Sequence, residues 1–335
     1  MNAPARVFNA VPAVRGEQPL LVGLTGGPGA GKTFSALTLA TGMQRVRGGD
    51  IIVIDTEAGR AKKYADRFSF KHVTFEPPFN PEDFLSAVRQ QLPLNPACII
   101  IDSASDEHEG AGGVLDIQAR AVEDLAARWK SSRENVGQAA WNVAKEPRKK
   151  MMSGFLQIKV PLIFCFRARE KTRQLKNDRG KVVPTNIGWQ PIAPSEIVHN
   201  MDVMCVLPLK SDGVPMWHSD KVGEDFVIKL PEQFKSVFTD GRPLNADMGE
   251  ALAKWARGEA IQPPVETVVD EAAILAAARD AARSGKDALQ AHYKPLSKLA
   301  KAALKPHFAE LTATATEADA VRAEPVAVEI EGDVI

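Results

Sequence analysis

Gly26-Gly27-Pro28-Gly29-Ala30-Gly31-Lys32-Thr33 is the stretch on which the reading of this chain turns. It has the form G-x-x-x-x-G-K-T and directly follows the apolar run Leu20-Leu21-Val22-Gly23-Leu24. Glycines so placed let backbone N–H groups turn inward around an anion, and a helix starting near Lys32 aims the positive end of its dipole at the same point. The pattern reads as a phosphate-binding P-loop. Lys32 is placed to reach the β- and γ-phosphates of ATP and the Thr33 hydroxyl to hold Mg²⁺, while Gly26, Gly27, Pro28, Gly29, Ala30, Gly31 and Phe34 complete the expected nucleotide cradle. An unrelated glycine-rich turn would lack the strand before it and the Ala/Leu-rich run from Phe34 to Arg47, stopped by Gly48-Gly49, behind it.

Two further strands carry acids at their ends. Ile51-Ile52-Val53-Ile54 leads into Asp55-Thr56-Glu57, and Cys98-Ile99-Ile100-Ile101 into Asp102-Ser103. Neither alternates, as expected of parallel strands covered on both faces, and the C-terminal strand edge is where open α/β sheets bind ligands. Asp102 fits the Walker B position, opposite Thr33 on the metal. Between these strands, His72–Phe75 reads as a short strand, and Asn80-Pro81 start a helix with Phe84, Val88 and Leu92 on one face. Asp106 to Gly113 is polar and reads as a loop. Within it Glu107-His108-Glu109 makes a poor metal site, because adjacent loop residues seldom converge on one ion. Helical stretches follow, with Trp129, Trp141, Met151, Met152 and Phe155 expected in the core.

Pro161–Phe166 is another buried strand, and it feeds a basic segment: Arg167, Arg169, Lys171, Arg173, Lys176, Arg179 and Lys181, against Glu170 and Asp178. Asn177-Asp178-Arg179-Gly180 is a turn pattern, so the charges flank a hairpin or a mobile loop. Met201–Leu209, Val214–His218 and Phe226–Ile228 read as late strands forming an antiparallel extension of the sheet. The expected organisation is a loose arm over 1–18, the main domain over 19–258, a linker over 259–269, a helical hairpin over 270–311 and an acidic unstructured tail over 312–335. Five lysines from Lys286 to Lys305 give the hairpin a basic face, read as solvated or as a contact for DNA or a partner.

The bulk numbers set limits. The 335 residues carry 42 basic and 42 acidic side chains, so a nucleic-acid surface must be local rather than global. A 44% hydrophobic and 25% charged composition is that of a globular protein with a full core. Cys98, Cys165 and Cys205 sit in apolar runs without metal-ligand spacing, which suits reduced thiols in a cytoplasmic setting. Neither a signal peptide nor a membrane span is expected.

The acids narrow the chemistry. Asp102 is followed by Ser103, which cannot polarise an attacking water, so Glu57 is the available acid. I-D-T-E after the second strand and I-I-I-D-S at Walker B resemble the RecA-like recombinase and KaiC-type ATPases, over roughly Pro19 to Leu230. The chain looks closest to phage-encoded RecA-like ATPases that accompany recombination and single-strand annealing genes. Ser284-Gly285-Lys286-Asp287-Ala288-Leu289 also resembles short helical modules appended to phage recombination proteins. The resemblance implies an α/β RecA-like P-loop NTPase with a mostly parallel sheet, an antiparallel extension and a small C-terminal helical hairpin. It implies Glu57 as the catalytic glutamate, Lys32 on the phosphates, Asp102 with Thr33 on Mg²⁺, and a ring or filament of identical subunits in a host cytoplasm. Single-stranded DNA would be the main partner, with a single-strand binding protein or exonuclease as companion.

One position departs from that pattern. RecA relatives end the strand before the DNA-binding loop in a polar residue, commonly Gln, where this chain has Arg167. Arg167 then reads three ways: a charged γ-phosphate sensor, an arginine finger toward a neighbouring subunit, or the first residue of a DNA loop. Arg169, Lys171, Arg173, Lys176, Arg179 and Lys181, with Trp189 for base stacking, form the single-strand site, against a solvated loop or one closing over the nucleotide. The competing functions are an ATP switch that docks a protein partner without DNA, and a small-molecule kinase with the arginines as a lid.

Overall fold

The computed structural model describes residues 9–176, 180–219, 227–239, 241–260, 271–294, 296, 301 and 303–323. The chain divides into two compact units, 1–262 and 263–335. In the first, seven strands form one sheet: β1 (Leu21–Gly26), β2 (Ile51–Asp55), β3 (Lys71–Thr74), β4 (Cys98–Asp102), β5 (Leu162–Lys176), β6 (Val182–Pro191) and β7 (Val203–Leu207). The order is β3-β2-β4-β5-β1-β7, all parallel, with β6 antiparallel to β5. This is the mostly parallel α/β sheet expected.

The absence of alternation has the expected cause. Along β2, Ile51 and Val53 enter one apolar layer while Ile52 and Ile54 enter the other. Along β4, Cys98 and Ile100 divide from Ile99 and Ile101 in the same way. The first layer is closed by α1 (Lys32–Arg47) and α7 (Ala246–Ala256), the second by α2 (Pro81–Gln91) and α5 (Arg133–Phe155). α1 and α7 cross closely because Gly42 and Gly249 lack side chains; a Cβ on Gly42 would lie 1.7 Å from the Ala246 carbonyl oxygen. α2 begins as read: the Asn80 side chain accepts the Glu82 N–H at 3.0 Å, with Pro81 at the first helical position.

Several expectations are corrected. Asp106–Glu109 forms a short helix, α3, with Asp106 and Glu107 buried rather than solvated, and α4 (Val114–Trp129) follows it. Trp129, at the end of α4, is half-exposed instead of in the core. β5 does not stop at Phe166: it runs on through the basic segment and pairs with β6 as a hairpin arm, because Thr172, Arg173, Gln174, Leu175 and Lys176 find backbone partners in Val182–Asn186. The antiparallel part of the sheet is therefore this arm. Among the described residues the later segments contribute only the isolated bridges Val206–Met216 and Met204–Lys229, after the short helix α6 (Ser195–Asn200) and β7, and Phe226 lies outside the described residues. At the N-terminus, Arg15–Gln18 is tied down: the Gln18 N–H donates to the Ala256 carbonyl, and Arg15 lies over the Trp255 ring at 5.3 Å.

The second unit contains α8 (Glu271–Arg283), α9 (Lys286–Tyr293) and α10 (Phe308–Ala323). α10 crosses Thr312, where an unstructured tail was expected, because Leu311 and Ala315 pack with Ala278, Ala282, Leu289 and Leu304. Asp319, read as tail charge, accepts the Lys286 N–H at 3.2 Å. Most of the expected linker and the end of the acidic tail lie outside the described residues. Among the described residues no helix is long and apolar enough to cross a membrane. All three cysteines are buried and free, and burial pushes each thiol well above its ordinary pKa.

Candidate nucleotide site and its basic arm

The parallel register lines up the strand tips. Asp55 stands beside Asp102, and Gly26, where the P-loop leaves β1, stands beside Arg167 on β5. β5 lies between the P-loop strand and the carboxylate strand. Gly31 takes φ 82°, a left-handed conformation that glycine adopts without strain, and turns the chain into α1. No side chain caps α1, so its first N–H groups are left for an anion.

Around this loop the candidate residues converge. Lys32 Nζ donates to the Gly26 and Gly27 carbonyls at 3.0 Å each, and Thr33 Oγ1 donates to Asp102 Oδ2 at 2.5 Å. Asp102 is buried, and burial raises its pKa to about 6; the Thr33 bond and Lys32 pull it down, while Glu57 and Asp55 push it up. A hydroxyl and a buried carboxylate oxygen at one point beside a P-loop are the hard oxygen donors that suit Mg²⁺, which takes its other ligands from phosphate and water. Asp55 serves elsewhere: it accepts the Glu57 N–H at 2.7 Å and the Ala61 N–H at 2.9 Å, and meets His72 Nε2 at 3.1 Å. It thereby fixes the turn that carries Glu57, whose carboxylate is met by Arg60 at 3.1 Å. Phe34 is exposed just past Thr33, its ring edge-on to Phe68 at 5.3 Å and tilted to Tyr64 at 6.2 Å.

Arg167 is engaged by acidic partners. Its Nη2 donates to Asp106 at 2.6 Å and lies 3.3 Å from Glu109, and its N–H donates to Ser105 Oγ at 2.9 Å. Next to this knot, Arg148 of α5 makes a two-pronged pair with Glu107 (2.8 and 3.2 Å), both side chains buried, and reaches His108 Nδ1 at 3.0 Å. Glu107 is thus taken, and among the described residues no His, Cys, Asp and Glu cluster is placed to hold a metal. Burial raises the Glu107 pKa although Arg148 opposes it, and burial with Arg148, Lys171 and Arg169 lowers His108 to about 4.

Arg169, Lys171, Arg173 and Lys176 lie exposed along β5, and Lys181 at the start of the return strand; Arg179 lies outside the described residues. Trp189 is not displayed with them. It packs against the apolar layer and sits on the P-loop, so that a Cβ on Gly27 would lie 3.2 Å from its ring. A cleft of about 450 Å³ opens at the foot of the arm, with Lys171, Arg173, Gln190, Ser195 and His199 in its lining. Sequence reasoning missed Asp106, Glu107 and Arg148 as a group, since nothing local shows that a polar loop will be buried against a helix forty residues later.

A family model described as AAA domain matches residues 18–233, more than half of the chain. Among solved structures, a KaiC-like protein from the hyperthermophilic archaeon Pyrococcus horikoshii OT3 aligns at 17% identity with a TM-score of 0.24, covering 53% of this chain and 90% of that one. No curated protein matches.

Proposed function

The chain belongs to the AAA-domain family, and from that premise we propose that it hydrolyses ATP at the P-loop and binds single-stranded DNA along the β5–β6 arm, as a RecA-like protein of recombination or strand annealing. The observation that carries the reading is the meeting of Thr33 and Asp102 beside Lys32, with Glu57 on the neighbouring strand tip.

The P-loop N–H groups and the α1 N-terminus surround the phosphates, and Lys32 places its charge on the β- and γ-oxygens. Thr33 and Asp102 are the residues that would hold Mg²⁺, which when bound would supply charge neutralisation to the phosphates. Glu57 orients a water in line with the γ-phosphorus and takes its proton as the bond to phosphorus forms and the ADP oxygen leaves. Phe34 offers an aromatic face for the purine. On the arm, Arg169, Lys171, Arg173 and Lys176 follow a phosphate backbone, and the cleft at its foot has room for a nucleotide.

The test is steady-state ATP hydrolysis with and without single-stranded DNA, in wild type and in Glu57→Gln. DNA-stimulated turnover that drops at least about a hundredfold in the variant supports the reading. Turnover indifferent to DNA removes the DNA half and leaves an ATP switch; turnover indifferent to Glu57 removes the assigned water-activating role.

A further inference from the structure

Asp106 is almost wholly buried, and its two oxygens serve different parts of the molecule. Oδ2 accepts the Thr56 hydroxyl at 2.7 Å, and Oδ1 accepts Arg167 Nη2 at 2.6 Å. Thr56 has one proton to give, and its oxygen already accepts the Ser103 N–H at 2.8 Å. Two acceptors are in range, the Ser103 carbonyl at 3.1 Å and the Asp106 carboxylate, and the carboxylate is both nearer and charged. Asp106 therefore bridges the residue before Glu57 to the residue where β5 leaves the parallel sheet.

That bridge has a stiff end and a free one. Thr56 is fixed to β4 by its backbone N–H, which donates to the Asp102 carbonyl at 2.9 Å. Beyond Arg167, among the described residues, the arm has a strand partner on one side only. Arg167 Nε is buried without a hydrogen-bond partner among the described residues, so the two carboxylates do not saturate the guanidinium, and a further acceptor can draw it off.

We propose that Asp106 is a positioning residue that couples nucleotide at the P-loop to the placement of the β5–β6 arm, through Thr56 on one side and Arg167 on the other. This deepens the function proposed above and rests on it. A shift of the Thr56–Glu57 tip on nucleotide binding either carries Arg167 with it or leaves a buried acceptor unpaired, and the first is the cheaper course.

The experiment measures amide hydrogen exchange across Val182–Pro191 in the full chain, with and without AMP-PNP and Mg²⁺, in wild type, Asp106→Asn, Thr56→Val and Trp189→Leu. Calorimetry gives AMP-PNP affinity for each. In wild type, nucleotide is expected to slow exchange in the arm by about fivefold or more, the low end of measured couplings between sites. In Asp106→Asn and Thr56→Val the response falls below about twofold while affinity stays within about threefold; Trp189→Leu keeps it. A merely structural Asp106 would lower the melting temperature and leave the nucleotide-dependent ratio intact. Should Asp106→Asn fail to fold, Thr56→Val, which loses the hydroxyl's bond to Asp106 and the one it accepts from the Ser103 N–H but no charge, carries the comparison. A wild-type response preserved in both bridge variants, lost in Trp189→Leu alone, or absent despite AMP-PNP binding overturns the proposal. Absence of AMP-PNP binding to wild type overturns the function itself.

Discussion

β5 is two strands in one. Its inner half, Leu162–Phe166, is apolar, buried on both faces and bonded to β4 on one side and β1 on the other. Its outer half, Arg169–Lys176, is largely exposed, carries four cations against Glu170, and among the described residues has β6 as its only strand partner. The change falls at Arg167, the first charge in the strand and the one gripped by Asp106 and Glu109. The inner half holds the neighbouring strand tips to the precision of a packed core, whereas a two-stranded ribbon is marginal by itself and takes its position from whatever holds its root. Geometry belongs to the sheet, and charge belongs to the arm.

The most severe way to test that division is Lys32→Ala. Hydrolysis is expected to fall by at least about a thousandfold, since the substitution strips the phosphates of their one loop cation. Single-stranded DNA affinity measured without nucleotide should stay within about twofold, because electrostatic contacts on a separate surface are untouched. Fluorescence anisotropy with labelled DNA checks it; a variant that loses both activities shows that arm and sheet are not separable.

Second in size is the buried pair behind the root. Arg148→Met leaves the Glu107 carboxylate without its partner at a site where both side chains are at most 5% exposed, and the expected cost is about 3 to 5 kcal/mol in urea unfolding. Arg148→Met combined with Glu107→Met should recover most of that loss, since an apolar pair needs no desolvation. If the single variant costs less than about 1 kcal/mol, the root of the arm is wetter than the burial of Glu107 indicates.

The same division marks what the sequence disclosed. Gly26–Thr33, Ile51–Glu57 and Cys98–Ser103 were legible because each motif is local: a turn that needs glycine, a strand apolar on both faces, an acid at its tip. The meeting of Thr33 with Asp102 followed from those pieces and the known habit of parallel sheets. The arm was half legible. Its charges and its turn stand in the sequence, but the pairing of Arg173 with Thr185, and the seating of Trp189 on Gly27 rather than among the cations, depend on long-range register. Least legible was Asp106–Glu109. Its composition is that of a loop, and Thr56, Arg148 and Arg167, all distant in sequence, turn its acids inward. The helix through Thr312 was hidden for a like reason, since apolar partners of Leu311 and Ala315 lie on α8 and α9, distant in sequence.

Third comes the arm itself. Arg169→Ala/Lys171→Ala/Arg173→Ala is expected to weaken single-stranded DNA binding by about tenfold to a hundredfold at moderate salt and to cut the slope of log K against log salt by about 2, at about 0.7 per phosphate contact. The melting temperature should move by no more than about 2 °C, as exposed side chains away from caps and networks contribute little. An unchanged salt slope would place the DNA surface elsewhere.

The smallest effect tests how near the two regions lie. Arg148 Nη2 donates to His108 Nδ1, so that nitrogen is an acceptor and the ring is neutral with its proton on Nε2. Burial and then Arg148, Lys171 and Arg169 hold its pKa near 4, below the ordinary 6.5, while Glu196 opposes them. A lowered histidine pKa means the folded state resists protonation: the associated stability is complete above pH 6.5 and is lost as pH falls through 4. Glu107, raised by burial, works in the opposite sense, so the informative quantity is the difference between wild type and His108→Gln, whose side-chain oxygen can still accept from Arg148. Wild type should lose ground to the variant between pH 6.5 and 4 in denaturant titrations. Because two of the cations acting on His108 belong to the arm, the triple arm variant should move the imidazole titration, followed by NMR, upward from about 4 toward 6.5. No movement would mean that the arm's field does not reach α3, and that the root at Arg167 joins two regions that are otherwise electrostatically independent.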